Sequence, residues 1–242
     1  MQLTNNKILI TGATEGIGRA LAERFLAMGN RVIGVGRNDQ KLNELSIIHP
    51  QFIPLRADIS KLEELERIAM FIEKEHTDLN ILINNAGVQL NYSFVEEIHV
   101  LNKIDHEVAI NLLAPLKLIA LLIPTLKLNE NAAIVNVSSG LGLVPKMNAP
   151  VYCGTKAGLH IYTQALRHQL KQIKVFEIIP PLVDTAMTAG RGKGKISTTR
   201  LVDEFIASFR NNQYEISIGK VKLLRAIHRM SPRLAALIMK GS

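Results

Sequence analysis

Tyr152 and Lys156 are the pair of residues whose types and spacing most directly indicate chemistry in this sequence. They lie four residues apart in VYCGTKAGLH (151–160), a segment with helical pattern, so both side chains point to one helix face. An ammonium beside a phenol favours the phenolate and lowers a pKa that is ordinarily near 10. Such a tyrosine can exchange protons with a carbonyl or alcohol substrate. The alternative is a chance pairing, because short motifs recur by coincidence.

A glycine-rich segment, TGATEGIG (11–18), follows the first predicted strand and opens a helix. Gly12, Gly16 and Gly18 fall between the two elements. Glycines permit a tight turn and a close approach of the backbone to a pyrophosphate, whose charge the helix N-terminus stabilises. The spacing GxxxGxG differs from GxGxxG, and an ordinary tight turn is the alternative for these glycines alone.

Further motifs follow in order: NNAG (84–87), Asn111 in a long helical segment, and VSS ending at Ser139, thirteen residues before Tyr152. Together with the glycine segment and Lys156, they resemble the short-chain dehydrogenase/reductase family over nearly the whole chain. Each motif is weak alone, but the ordered set is specific. The resemblance implies an oxidoreductase that transfers hydride between a nicotinamide cofactor and a carbonyl or secondary alcohol.

The resemblance also implies roles for four residues. Tyr152 is expected to be the general acid/base, and Lys156 to lower the pKa of Tyr152 and contact the nicotinamide ribose. Ser139 is expected to bind and orient the substrate oxygen, which leaves Ser138 a structural role. Asn111 is expected to hold a water that links Lys156 to solvent, although local hydrogen bonding inside a helix is the alternative for this side chain.

The end of the second predicted strand, RVIGVG, decides between the two nicotinamide cofactors. NAD-preferring members carry an acidic residue there, whereas this chain has Gly36 followed by Arg37. A guanidinium suits a 2′-phosphate, so we predict NADP(H), with NAD(H) as an alternative. Glu15 departs from the basic residue that many NADP-preferring members carry, and a solvated Arg37 is the competing interpretation. The expected cofactor contacts are Gly12, Thr14, Gly16, Ile17, Gly18, Arg37, Asp58, Asn85, Ala86, Gly87, Tyr152, Lys156, Pro180, Val183 and Thr185.

The segment PPLVDT (180–185) replaces the family's Pro-Gly-x-Val-x-Thr. Pro181 removes a backbone donor and stiffens the segment. This Pro-Pro version resembles, more weakly, the oxidoreductase subgroup encoded with D-alanine transfer operons. The substrate stays open.

The apolar pattern predicts a single α/β domain, residues 1–242, of doubly wound Rossmann type with a parallel sheet of about seven strands. The strands are continuous apolar runs, typical of strands buried on both faces, and they alternate with amphipathic helices. Residues 185–197 are predicted to form a mobile substrate loop, and the long helix to be interrupted near Pro115. The predicted strands are residues 7–12, 31–36, 52–58, 81–87, 132–139, 174–180 and 214–219, and the predicted helices are residues 18–28, 39–45, 62–75, 101–127, 151–172 and 199–210.

The net charge of +8 is concentrated at the C-terminal end. Residues 191–242 hold 11 of the 29 Lys and Arg residues but only three of the 21 acidic residues, a difference of +8. Residues 220–242 are predicted to be a basic helical tail that closes the substrate cleft or packs on a partner subunit. Membrane association through this tail is a less favoured alternative.

The remaining expectations concern cofactors, partners and location. One cysteine, Cys153, excludes an internal disulfide, and the N-terminal residues lack a signal-peptide pattern, so a cytoplasmic protein is expected. The histidines show no metal-ligand spacing, and the basic tail lacks the aromatic residues typical of nucleic-acid binding. The family resemblance implies a homodimer or homotetramer. A non-catalytic NADP(H)-binding redox sensor, associated with a membrane through the tail, is the alternative function.

Overall fold

The computed structural model describes residues 1–240 and shows one seven-stranded parallel sheet with the order β3-β2-β1-β4-β5-β6-β7. The predicted doubly wound α/β fold is therefore confirmed. The strand order reverses between β1 and β4, which places a crevice at the carboxyl ends of these two strands. The strands are β1 (Lys7–Thr11), β2 (Arg31–Gly36), β3 (Phe52–Arg56), β4 (Ile81–Asn84), β5 (Ala133–Val137), β6 (Lys174–Ile179) and β7 (Glu215–Ser217).

Helices cover both faces of the sheet, so β1, β4 and β5 are buried along their whole length. On one face the core is rich in aromatic rings, with Phe25, Phe205 and Phe209 stacked edge-on or tilted against one another. On the other face Ile68 and Leu118 belong to an aliphatic core. The helices are α1 (Gly16–Ala27), α2 (Asp39–Ile48), α3 (Leu62–Glu75), α4 (Val100–Val108), α5 (Ala114–Lys127), α6 (Pro150–Gln169), α7 (Thr198–Arg210), α8 (Val221–Met230) and α9 (Pro232–Lys240).

Several predicted boundaries were wrong by a few residues. Helix α1 begins two residues earlier than predicted, because Gly16 already belongs to its first turn. Helix α2 continues to Ile48, and α6 ends at Gln169, where the chain turns towards β6. Strand β7 has three residues, Glu215–Ser217, fewer than the predicted six.

The predicted long helix is interrupted just before Pro115, as expected from the proline. Residues Ala109–Leu113 form a π-helical turn between α4 and α5, with the Ala114 amide donating to the carbonyl of Ala109. Pro115 has no N–H to donate to the carbonyl of Asn111, four residues earlier, so the regular helical ladder cannot continue there. The break thus places Asn111 at an irregular turn.

The stretch Val100–Lys127 is long and apolar enough, by length and composition only, to cross a membrane. Of its most apolar window, 44% is buried inside the protein. Its inner face, with Ile119 and Leu122, belongs to the aliphatic core of the sheet. Core helices of globular proteins pass the same test, and this stretch packs against the sheet as a core helix does.

Candidate active site

A cleft of about 1230 Å³ runs across the carboxyl ends of the strands. It starts at the glycine-rich turn after β1, passes the ends of β4 and β5, and continues beneath α8 and α9. Two predicted site residues, Gly18 and Asn111, lie behind its wall. The predicted residues that line it are Gly12, Thr14, Gly16, Ile17, Arg37, Asp58, Asn85, Ala86, Gly87, Ser139, Tyr152, Lys156, Pro180, Val183 and Thr185.

The glycine turn is packed too closely for larger residues. A β-carbon at Gly18 would lie 2.1 Å from the carbonyl oxygen of Gly12 and 2.4 Å from the Asn85 amide nitrogen. Asn85 in turn donates to the carbonyl of Thr11 at 2.9 Å, which fastens the end of β4 to the end of β1. The turn therefore leaves the start of α1, with its unpaired amides, open to the cleft. These residues fit the pyrophosphate of a dinucleotide.

The four residues of the NNAG motif have two different structural roles. Asn84 donates its side-chain amide to the side chain of Asn136 at 2.9 Å, so it links β4 to β5. The Ala86 amide donates to the Thr11 hydroxyl at 3.1 Å. Asn84 is thus structural, whereas Asn85, Ala86 and Gly87 form the cleft wall.

The end of the cleft beyond β2 carries Arg37 and Asp58. Burial raises the pKa of Asp58, but hydrogen bonds from Ser60 and the charge of Arg37 outweigh it, so the pKa is lowered overall. A β-carbon at Gly36 would lie 2.8 Å from the Thr14 side chain. An acidic side chain at position 36 would therefore have to displace Thr14.

Glu15, the residue that argued against NADP(H), forms an ion pair with Lys41 of α2. The pair compensates the negative charge that Glu15 brings to the turn. The departure from the usual pattern at this position is therefore offset by a cation from another element.

Tyr152, Lys156 and Ser139 lie together at the other end of the cleft. The Lys156 ammonium lies 5.8 Å from the centre of the Tyr152 ring and donates to the carbonyl of Val137 at 2.9 Å. A β-carbon at Gly87 would lie 3.4 Å from the Lys156 Nζ, so this glycine leaves room for the ammonium. Ser138 donates to the carbonyl of Ile178 at 3.4 Å, in keeping with a structural role.

The pKa of Tyr152 differs from the expectation. Burial raises it to about 12, against the smaller, lowering effects of the hydrogen bond with Ser139 and the charge of Arg191. Burial likewise lowers the pKa of Lys156 to about 8, while the charge of Glu177 acts in the opposite direction. Desolvation disfavours the charged form of both groups, and in this buried pocket it exceeds the expected lowering of the tyrosine pKa by the lysine.

Asn111 links the loop after β4 to α6, the helix that carries Tyr152 and Lys156. Its side chain accepts from the Val88 amide at 2.8 Å, donates to the Val88 carbonyl at 2.8 Å, and donates to the Thr155 hydroxyl at 3.3 Å. The side chain therefore bonds to protein groups that are distant in sequence, and not within its own helix as the alternative supposed. The predicted water between Lys156 and solvent stays a prediction.

We call the part of the cleft lined by the loops before α6 and after β6 and by the tail the substrate half, and the rest the nucleotide half. Two cations of the substrate half, Lys146 and Arg191, were missed by the sequence analysis. Both line the cleft, Lys146 from the loop before α6 and Arg191 from the loop after β6. Arg191 falls in the segment 185–197 that the sequence predicts to be a substrate loop, whereas Lys146 lies outside every predicted strand and helix. The loop of residues 185–197 is joined to the body by the Ile196 amide, which donates to the carbonyl of Leu182 at 3.1 Å; its mobility stays a prediction.

The basic tail forms the outer wall of the cleft. It folds into α8 and α9, which are separated at Ser231 and Pro232 and pack on each other. Val221 is buried and lies against Gly140. The tail residues that line the cleft are Lys220, Val221, Leu223, Leu224, Ile227, Ile238 and Met239. The predicted role in closing the cleft agrees with this arrangement.

A doubly wound nucleotide-binding fold with serine, tyrosine and lysine at one end of its crevice defines a class of dehydrogenases, and sequence comparison agrees. Residues 6–195 match the family described as short chain dehydrogenase. The "Uncharacterized oxidoreductase DltE" of Bacillus subtilis (strain 168) is 37% identical over 233 residues, which cover 93% of this chain and 92% of that protein. The chain belongs to the short-chain dehydrogenase/reductase family, and the similarity to DltE confirms the weaker resemblance indicated by the Pro-Pro segment.

Solved structures share this fold over the whole chain. A short-chain dehydrogenase from Burkholderia cenocepacia J2315 in complex with NADP superposes with a TM-score of 0.89 at 25% identity, covering 99% of both chains. A short-chain dehydrogenase from Sphingobium yanoikuyae in complex with NADPH has a TM-score of 0.84 at 25% identity, with 96% of this chain and 95% of that chain covered.

Proposed function

We propose that this protein is an NADP(H)-dependent oxidoreductase that interconverts a carbonyl compound and a secondary alcohol, with Tyr152 as the general acid/base. The observation that carries the proposal is the convergence of Ser139, Tyr152 and Lys156 at one end of a cleft whose other end is the glycine turn. The two related structures contain NADP or NADPH, which supports the choice of nucleotide.

When bound, the reduced nicotinamide supplies a hydride to the carbonyl carbon. The electron pair displaced onto the carbonyl oxygen needs one proton, and Tyr152 is the proposed donor, so that the products are the alcohol and the oxidised nucleotide. The Ser139 hydroxyl would hold the same oxygen in place. Lys156, with a pKa of about 8, is mostly protonated at neutral pH and would bind the ribose hydroxyls.

Arg37 is the proposed recognition group for the 2′-phosphate. It lines the cleft beside Asp58, and the acidic residue that would repel a phosphate is replaced by Gly36. Because hydrogen bonds between charged groups contribute about 1.5–3 kcal/mol, Arg37→Gln should raise the KM for NADPH roughly 10- to 100-fold and leave that for NADH nearly unchanged. Arg31→Gln, at the opposite end of β2, is the matched control.

The first experiment measures NADPH and NADH oxidation against a broad panel of aldehydes, ketones and quinones. We expect turnover with NADPH that disappears in Tyr152→Phe, while calorimetric NADPH binding is retained in that variant. Turnover that prefers NADH would remove Arg37 from its proposed role but keep the reaction. Tight NADPH binding by the wild-type protein with no turnover of any compound would favour the redox-sensor alternative.

A further inference from the structure

Among the residues that the structure describes, the side chains that line the substrate half of the cleft include four cations and no acid. Lys146 and Arg191 line it near Tyr152, and Lys193 and Lys220 line its mouth. The acidic residues on the cleft wall, Glu15 and Asp58, belong to the nucleotide half. A charged group that enters the substrate half therefore lies near cations, and the acid whose charge acts on Tyr152, the fully buried Glu107, does not line the cleft.

One hydrogen bond holds the Arg191 guanidinium in place, but not all of its N–H donors have an acceptor. Its Nη2 donates to the carbonyl of Gln89 at 3.4 Å, which links the loop after β6 to the loop after β4 across the cleft. Its Nη1 is buried and has no hydrogen-bond partner within residues 1–240. Unpaired buried donors are rare because their desolvation is not repaid, so this one calls for a partner such as a water, an ion or a ligand group.

Lys146 lies close enough to Arg191 for the two charges to interact. Burial and then the charge of Arg191 lower the pKa of Lys146, and Arg191 also acts on Tyr152. Neither cation forms an ion pair with an acidic side chain in the part of the chain that the structure describes. Two half-buried cations without a counter-charge repel each other, and a bound anion would relieve the repulsion.

One part of the lining of this half is apolar. It consists of side chains from the loop after β5, the loop after β6 and the tail: Leu141, Leu182, Met187, Leu223, Leu224 and Ile227. A ligand that fills the substrate half would place an apolar body against these residues and a charged group against Lys146 and Arg191.

We propose that the substrate is an anionic carbonyl compound with an apolar body, and that Lys146 and Arg191 bind its carboxylate or phosphate group beside Tyr152. This inference deepens the proposed function, because the same site reduces the carbonyl. The shared chemistry is a tetrahedral or planar oxyanion that accepts hydrogen bonds from a guanidinium and an ammonium. Carboxylate and phosphate are separated by experiment.

The test compares anionic compounds with neutral partners of the same shape. Straight-chain oxo acids of increasing length are assayed with NADPH beside their methyl esters, and the corresponding oxoalkyl phosphates beside the oxo alcohols. We expect kcat/KM for the preferred anion to exceed that of its neutral partner by about tenfold or more, the range of hydrogen bonds to charged groups. Arg191→Gln and Lys146→Met should each lower this value roughly 10- to 100-fold, mainly through KM, and should lower the value for the neutral compound by a clearly smaller factor.

Two controls isolate the subsite. Arg229→Gln removes one exposed cation from α8 outside the cleft and should leave both substrates unchanged. The affinity for NADPH should be the same in Arg191→Gln as in the wild type, because this residue is assigned to the substrate. A parallel loss of NADPH affinity would assign Arg191 to the nucleotide and overturn the proposal.

Binding separates the subsite from the chemistry. In Tyr152→Phe protein saturated with NADPH, calorimetry should detect the anionic compound with at least about tenfold higher affinity than its neutral partner. Equal affinities, or turnover of neutral compounds that is as efficient as that of anions, would overturn the subsite and leave the reductase proposal intact. Selective anion binding without turnover in the wild type would support the subsite and contradict the reductase proposal.

Discussion

Burial determines the proton affinities of the individual side chains at the reaction end. The pKa of Tyr152 is raised to about 12 and that of Lys156 is lowered to about 8, in each case mainly by desolvation. At neutral pH Tyr152 is therefore a neutral phenol with a proton to give. A neutral phenol can donate a proton, which is the role that the proposed carbonyl reduction assigns to Tyr152.

Gly18 gives a test of the glycine turn at the scale of one atom. In Gly18→Ala the new β-carbon would lie 2.1 Å from the Gly12 carbonyl oxygen, a distance at which the turn has to shift. We expect NADPH affinity to fall by at least about tenfold, since the pyrophosphate relies on the position of this turn. Fluorescence titration with NADPH measures the effect.

The matched control is Gly154→Ala in α6, where a β-carbon would have no neighbouring atom within 4 Å. Alanine in a helix interior is more stable than glycine by about 0.5–1 kcal/mol, so this variant should bind NADPH normally and unfold at a slightly higher temperature. Equal NADPH affinity in the two variants would show that the turn tolerates a side chain.

At the scale of elements, α6 and β6 share a buried charge. His160 lies one turn beyond Lys156 on α6, so the two residues occupy the same helix face. The Nδ1 of His160 lies 2.8 Å from a carboxylate oxygen of Glu177, a fully buried residue of β6. This contact joins the helix that carries Tyr152 and Lys156 to the strand that leads into the substrate loop.

The stability provided by this pair should depend on pH. The hydrogen bond with Glu177 is the main cause that raises the pKa of His160 above 6.5, in opposition to burial. A raised folded-state pKa gives stability that is fully present below 6.5 and is lost as the pH rises through the folded-state value. The free energy of unfolding lost in His160→Gln, measured in urea, should therefore be largest near about pH 6 and smallest near about pH 9.

His168→Gln, at an exposed position of the last turn of α6, serves as the control for removing a histidine. If the loss in His160→Gln is the same at acid and alkaline pH, the pair contributes through packing and not through a titrating charge.

At the scale of the whole molecule, much of the C-terminal charge excess lies on the tail, which forms the outer wall of the cleft. In α8, Lys222 pairs with Glu204 at 3.3 Å and Arg225 pairs with Glu215, so part of the basic charge is compensated inside the protein. The apolar residues Leu224 and Ile227 line the cleft. These contacts support the cleft-closing role over membrane binding, and both the membrane association and the homo-oligomer stay predictions.

Removal of residues 221–242 should affect turnover of the carbonyl substrate much more than binding of NADPH. Because the tail lines only the substrate half, we expect NADPH affinity to change by less than about twofold, while kcat/KM for the carbonyl substrate falls by at least about tenfold. Burial of one large aliphatic side chain contributes about 1.5–3 kcal/mol, and the truncation removes several from the substrate wall. Steady-state kinetics and fluorescence titration measure the two effects.

Leu224→Ala/Ile227→Ala, which keeps the tail, repeats the test if the truncated chain unfolds. Cosedimentation of both proteins with anionic liposomes tests the alternative role. Membrane binding that the full chain shows and the truncated chain lacks, together with unchanged kinetics, would assign the tail to a membrane and not to the cleft.

The amino-acid sequence by itself determined the order of strands and helices, the glycine turn and the set Ser139, Tyr152 and Lys156. These features depend on local spacing and on hydrophobic periodicity, which a single chain displays directly. The tertiary structure decided the pKa direction of Tyr152, because desolvation depends on everything packed around the ring. It also brought Lys146, Arg191 and the tail to one cleft, since loops far apart in sequence meet only when the sheet aligns their ends.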